Sequence, residues 1–175
     1  MLTCLTDHTK FKWICLTENI SEKPKATIDY NDVGTLLHGT LFAYQKAIKE
    51  FLGTGSSVFV HPVLDIIRKI SERTGVNLVQ GSTVDEVFGN LSAIMPTSGI
   101  MKAFRFEKLT PQRYVLHVEE CVWAPHIHQE LNPKDVACPF ALLAMAVFEE
   151  VSKGEIKVVD SEYSKNGTKT TIELL

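Results

Sequence analysis

The stretch RYVLHVEECVWAPHIHQELNPKDVACPFALLAMAVFEEVSKGE, residues 113–155, carries two different hydrophobic periods in succession. Its first part alternates. Tyr114, Leu116 and Val118 share one face and His117, Glu119 and Cys121 the other, because successive side chains of a strand point to opposite sides. Its last part is apolar at every position from Phe140 to Phe148. A helix that is apolar all round is a buried one. Pro139 suits the first helical position, which makes Cys138 the N-cap, and Gly154 ends the helix.

Working outward, Met101–Leu109 alternates as well and joins Gln112–Val122 through Thr110-Pro111, so the two runs read as a β-hairpin. Phe104 and Phe106 share a face of its first strand. Beyond the buried helix, Ile156–Tyr163 and Thr168–Leu174 flank Asn166-Gly167, a type I′ hairpin signal. Three helices precede the sheet. The first starts at the N-capping residues Asn31 and Asp32, with Val33, Leu36, Leu37, Leu41, Tyr44, Ile48 and Phe51 at helical spacing, and stops at Gly53. The second starts near Ser56 or Ser57 and carries Pro62 in its first turn. Phe59, Val63, Ile66, Ile67 and Ile70 form its stripe, and Gly75 closes it. The third is opened by the capping-box spacing of Thr83 and Glu86. It buries Val87, Phe88, Leu91 and Ile94 and ends at Pro96 and Gly99. The expected architecture is α+β: a four-stranded, mainly antiparallel sheet with N-terminal helices and one buried helix between two β-hairpins. Residues 1–30 read as an N-terminal extension, with a short strand in Phe11–Leu16 and a linker at Ser21–Lys25. Residues 31–175 read as a single domain.

The chain has 175 residues, of which 45% are hydrophobic and 22% charged, enough apolar material for a full core. The formal net charge is -3, so no basic excess points to nucleic acid. Asp7, Lys10 and Lys12 interrupt any secretory apolar stretch near the start, and no apolar run is long enough to span a bilayer. The expectation is a reducing, cytoplasmic setting. There the four cysteines, Cys4, Cys15, Cys121 and Cys138, are free thiols or metal ligands rather than disulfides.

His117, Cys121, His126, His128 and Cys138 concentrate ligand chemistry in one segment. Thiolate with imidazole suits tetrahedral zinc. His117 and Cys121 lie four residues apart on a strand, about 13 Å, too far to share an ion. The candidate zinc set is therefore Cys121, Cys138, His126 and His128, with Cys138 at a helix N-terminus whose dipole favours a thiolate. The bland reading stands beside it: Cys121 a buried strand thiol, Cys138 a capping residue, and the two histidines solvated. His38, mid-helix beside Gly39, reads as a partly buried residue, and His61 as a first-turn surface residue. Gly53-Thr54-Gly55-Ser56 lacks the phosphate-loop lysine and reads as a helix–helix turn.

The C-terminal half resembles the vinyl-reductase-type, or hydrocarbon-binding, domain family. The resemblance rests on HVEECVWAPH, then CPFALLAMAVFEEVSKGE, then a closing IKVVDSEYSKNGTKTTIEL, over roughly residues 100–175. That family is related in fold to haem/nitric-oxide sensor domains and to subunits of the TRAPP trafficking complex. The resemblance implies a pocket for a small apolar or acyl ligand, a dimer, and a cysteine-rich metal site. Cys121 and Cys138 match the family's first two cysteines and Glu162 its glutamate. Ser164 and Thr170 stand near its later cysteines, which excludes a four-cysteine site. No haem signature and no nicotinamide or flavin motif is present. The expected function is a small-molecule-binding or sensor domain, a homodimer, with a structural zinc site. The alternatives are a zinc-dependent enzyme with an open metal position and Glu119, Glu120 or Glu130 as base, or a dimeric adaptor or assembly subunit.

Overall fold

In the computed structural model, which describes residues 4–5, 14–15, 29–53, 57–132 and 136–175, the elements follow in this order. A two-residue antiparallel pair, β1 (Cys4–Leu5) and β2 (Ile14–Cys15), comes first. Next are α1 (Tyr30–Leu52), α2 (Val60–Thr74) and α3 (Val84–Ile94). The hairpin β3 (Ala103–Thr110) and β4 (Arg113–Glu119) follows, then the short α4 (Ala124–Ile127) and the buried α5 (Pro139–Ser152). The chain closes with β5 (Ile156–Ser164) and β6 (Gly167–Leu174). The sheet order is β3-β4-β6-β5 and every neighbour is antiparallel. This is the expected α+β architecture. The linker expected at Ser21–Lys25 lies outside the described residues, as do Thr54, Gly55 and Ser56. Among the described residues no helix is long and apolar enough to cross a membrane.

α5 packs on the sheet and is covered by α2, while α3 lies against β3. Ala141, Ala144, Met145, Ala146, Val147 and Phe148 are all essentially inaccessible, which is what an all-round apolar helix requires. Across the sheet, Leu116 sits opposite Thr170 and Tyr114 opposite Ile172. Phe88 of α3 stacks on Phe106 at 3.6 Å and meets Tyr114 and Phe148 edge-on, locking α3 to sheet and helix.

Local physics moved several details. α1 starts two residues before Asp32, because Asp29 accepts from the Asp32 N–H while the Asp32 carboxylate accepts from the Asp29 N–H. The apolar stripe expected to bury α1 is largely exposed: the helix buries His38, Phe42 and Gln45 instead. In α2 the buried residues are Val60, Leu64 and Ile67, and Ile66 and Ile70 face solvent. β4 stops at Glu119, and Glu120 takes a φ of 50°, so Cys121 swings into the core rather than continuing the face of His117 and Glu119. The last hairpin turns through Lys165–Asn166, with Ser164 paired to Gly167 and no positive φ at any of the four, so it is not the expected type I′ turn. Gly167 belongs to the strand for another reason: a Cβ there would collide with the Val118 carbonyl on β4.

Candidate functional site

α1 presents His38, Phe42 and Gln45 on one face, because positions four and three apart lie above one another on a helix. Gln45 docks that face. Its Nε2 donates to the Ala137 carbonyl at 2.8 Å, and its Oε1 accepts from the Ala137 N–H at 2.9 Å, both buried. Two glycines let α1 come close. A Cβ on Gly34 would strike the Trp123 ring, and one on Gly39 would strike Ile127. The face therefore settles onto a floor built from the segment after β4, the start of α5, and β5.

His38 is the centre of this cluster. Its ring centroid lies 4.9 Å from Phe42, 5.4 Å from Trp123, 5.9 Å from His128 and 6.2 Å from Phe140. Trp123 and Phe140 stack nearly parallel at 6.0 Å, and Tyr163 meets His128 edge-on at 5.0 Å. The Tyr163 hydroxyl donates to the Val136 carbonyl at 3.1 Å. Three ring nitrogens in this apolar box are buried without a hydrogen-bond partner: His38 Nε2, His128 Nε2 and Trp123 Nε1. Buried polar atoms are normally paired, so three orphans in one cluster need a reason.

The tautomer of His128 follows from its neighbours. Its Nδ1 lies 3.1 Å from the Ser164 carbonyl and 3.2 Å from the Gly167 carbonyl. Carbonyls accept and do not donate, so Nδ1 carries the proton. Burial holds the His128 pKa below its ordinary value, against the pull of those carbonyls. The ring is neutral near pH 7, and Nε2 is a bare acceptor. Burial, helped by the nearby His128, pushes His38 down to about 4. Trp123 Nε1–H is a donor without an acceptor. The site offers hydrogen bonds, not charge.

The cysteines lie beside this cluster but are chemically quiet. Burial pushes the Cys138 thiol up to about 11, over the opposing influence of the Thr168 hydroxyl and the neighbouring backbone N–H groups. The helix N-terminus does not yield the expected thiolate, because desolvation outweighs the dipole. Burial also raises Cys121. His126 stands exposed on α4, apart from the buried His128. Among the described residues no group of three or more His, Cys, Asp or Glu side chains is placed to hold a metal ion. The three candidate bases are exposed: Glu119 pairs with Arg105, Glu120 with Lys102 at 2.7 Å, and Glu130 ends the turn after α4. Glu162 is exposed on β5 opposite Lys169.

His128 was expected at a metal site and His38 as a partly buried helix residue, which it is, more deeply than expected; no local signal marked Trp123 or Tyr163. The signal for α1 was the run Gly34, His38, Gly39, Phe42 and Gln45, small and polar-aromatic residues on one side of a helix. Elsewhere, a surface cavity of about 730 Å³ between α2 and α5 is lined by residues already paired with each other, His61 with Glu149 and Arg68 with Glu150.

No family model and no curated protein matches the chain. Among solved structures it resembles one from "Probing the function of heme distortion in the H-NOX family", with 12% identity and a TM-score of 0.45, over 86% of this chain and 74% of that one.

Proposed function

We propose that the chain is a small-molecule-binding domain whose site is the buried cluster of His38, Trp123 and His128 beneath α1. The observation that carries this reading is the set of three buried ring nitrogens without partners. A binding pocket of this kind is mostly apolar, with a few placed polar groups that fix orientation. The aromatic walls select a compact apolar body. The bare Nε2 of His128 calls for a donor on the ligand, and the Trp123 N–H calls for an acceptor. A hydroxyl supplies both on one oxygen. The ligand class is therefore a small alcohol or phenol, a narrower form of the apolar ligand expected from the sequence. α1 forms the cover of the site, held over it by three buried side chains. The reading is of a binding or sensor domain, and hydrogen bonding by the ring nitrogens is the chemistry that it uses.

Calorimetric titration with phenol, benzyl alcohol and toluene tests this. The hydroxyl compounds bind, and toluene, matched in shape, binds at least about tenfold more weakly, the effect of an unpaired polar group at the site. His128→Phe abolishes that preference while the fold, followed by circular dichroism, persists. Equal affinity for toluene and phenol, or no binding of either, contradicts the reading.

A further inference from the structure

A single ligand hydroxyl on His128 and Trp123 uses two of the three unpaired ring nitrogens, and His38 Nε2 is left over. His38 is 2% exposed, so solvent does not satisfy it. Nor can α1 carry it elsewhere. Gln45 binds the Ala137 carbonyl and N–H with both ends of its amide, and Gly34 and Gly39 seat the helix against Trp123 and Ile127. A buried polar atom held this firmly and still unpaired marks a missing partner.

One oxygen cannot be that partner for both histidines. The rings of His38 and His128 stack, with centroids 5.9 Å apart and planes 29° apart. The lone pair or N–H of an imidazole nitrogen lies in the plane of its own ring. Stacked rings therefore direct their hydrogen bonds to separate points, spaced by about the distance between the rings, and not to a common one. His128 Nε2 is bare, because Nδ1 holds its proton against the Ser164 and Gly167 carbonyls. It takes the one proton that a hydroxyl has to give. A second polar atom on the ligand must face His38.

The surroundings define that second group. His38 Nε2 is either bare or protonated, and a hydroxyl suits both, since it gives and accepts a hydrogen bond. A charged group does not fit. The box of Phe42, Trp123, Phe140 and neutral imidazoles offers no counter-charge, and burying an unpaired ion is costly. Hydroxyls on neighbouring carbons lie much closer together than the two rings do, whereas hydroxyls on alternate carbons come nearer to the 5.9 Å spacing.

We infer that the ligand carries two hydroxyls on alternate carbons of a compact apolar ring, one held by His128 with Trp123 and the other by His38. The inference rests on the binding reading above and narrows its ligand class from one hydroxyl to two.

Calorimetric titration of the full chain with phenol, catechol and resorcinol tests this, since the three share a ring and differ in the number and spacing of hydroxyls. Resorcinol, with hydroxyls on alternate carbons, is expected to bind at least about tenfold more tightly than phenol, the effect of pairing a buried polar group, and more tightly than catechol. His38→Phe should remove the difference between resorcinol and phenol. Nitrogen-15 NMR of the wild-type protein reads the same contact without a substitution: the His38 Nε2 signal should shift much further with resorcinol than with phenol. Phenol bound and resorcinol no tighter overturns the second contact and leaves the binding reading standing. Binding of none of the three overturns both. Catechol bound more tightly than resorcinol overturns the spacing. A resorcinol advantage that survives His38→Phe, or a His38 signal indifferent to resorcinol, overturns the assignment to His38.

Discussion

Two neutral imidazoles lie 5.9 Å apart in a box of aromatic rings, and their protonation couples the site to pH. His38 titrates at 6.5 in the unfolded chain and is held down to about 4 by burial in the fold. As pH falls through this window, protons bind the unfolded chain first. Stability is therefore complete above about pH 6.5 and declines towards pH 4, by up to roughly 3 kcal/mol from His38 alone. The His128 shift acts in the same direction. Urea unfolding at about pH 7.5 and pH 5 should show this loss, and His38→Gln should remove much of it. A pH dependence identical in wild type and variant would show that His38 is not a buried neutral ring. The thiols give a second residue-scale test. With Cys4 and Cys15 replaced by serine, Cys121 and Cys138 should react with a disulfide reagent at pH 8 only after unfolding, since both are buried and held protonated. Rapid reaction in the native state would contradict their burial.

At the scale of elements, the placement of α1 depends on what its glycines touch. Gly34→Ala improves helix propensity by about 1 kcal/mol yet forces a methyl group into the Trp123 ring, so it should destabilise by roughly 1–3 kcal/mol net. Gly89→Ala, in α3 with open space around it, should instead stabilise by about 0.5–1 kcal/mol. Thermal unfolding of the two variants side by side checks the contrast, and a stabilising Gly34→Ala would place α1 away from Trp123. The elements themselves were largely legible. Period-two alternation marked the strands, the Thr83–Glu86 box began α3 as read, and the run Phe140–Phe148 marked the buried helix. α1 was legible as a helix but not in orientation. Its strongest apolar stripe faces outward, and its buried face is held by one amide pair to Ala137, ninety-two residues away in sequence. No local pattern records such a contact. Cys121 was misplaced because the positive φ of Glu120 breaks the alternation that the strand reading extended. The convergence of His38 from α1, Trp123 and His128 from the loop, and Tyr163 from β5 is tertiary, so spacing could not show it.

At the scale of the molecule, α5 and the four-stranded sheet form the core, and α1 packs against α4 and α5. One helix thus covers the proposed ligand site with one face and exposes an apolar stripe on another. The central claim concerns atoms, and nitrogen-15 NMR of the histidine and tryptophan rings reaches them. In the free protein at pH 7, His128 should show a protonated Nδ1 and an unprotonated Nε2. On addition of phenol or benzyl alcohol, the His128 Nε2 and Trp123 indole signals should shift together, while toluene leaves both in place. A His128 protonated at Nε2 in the free protein, or hydroxyl compounds that move neither signal, would contradict the assignment of this cluster as the binding site.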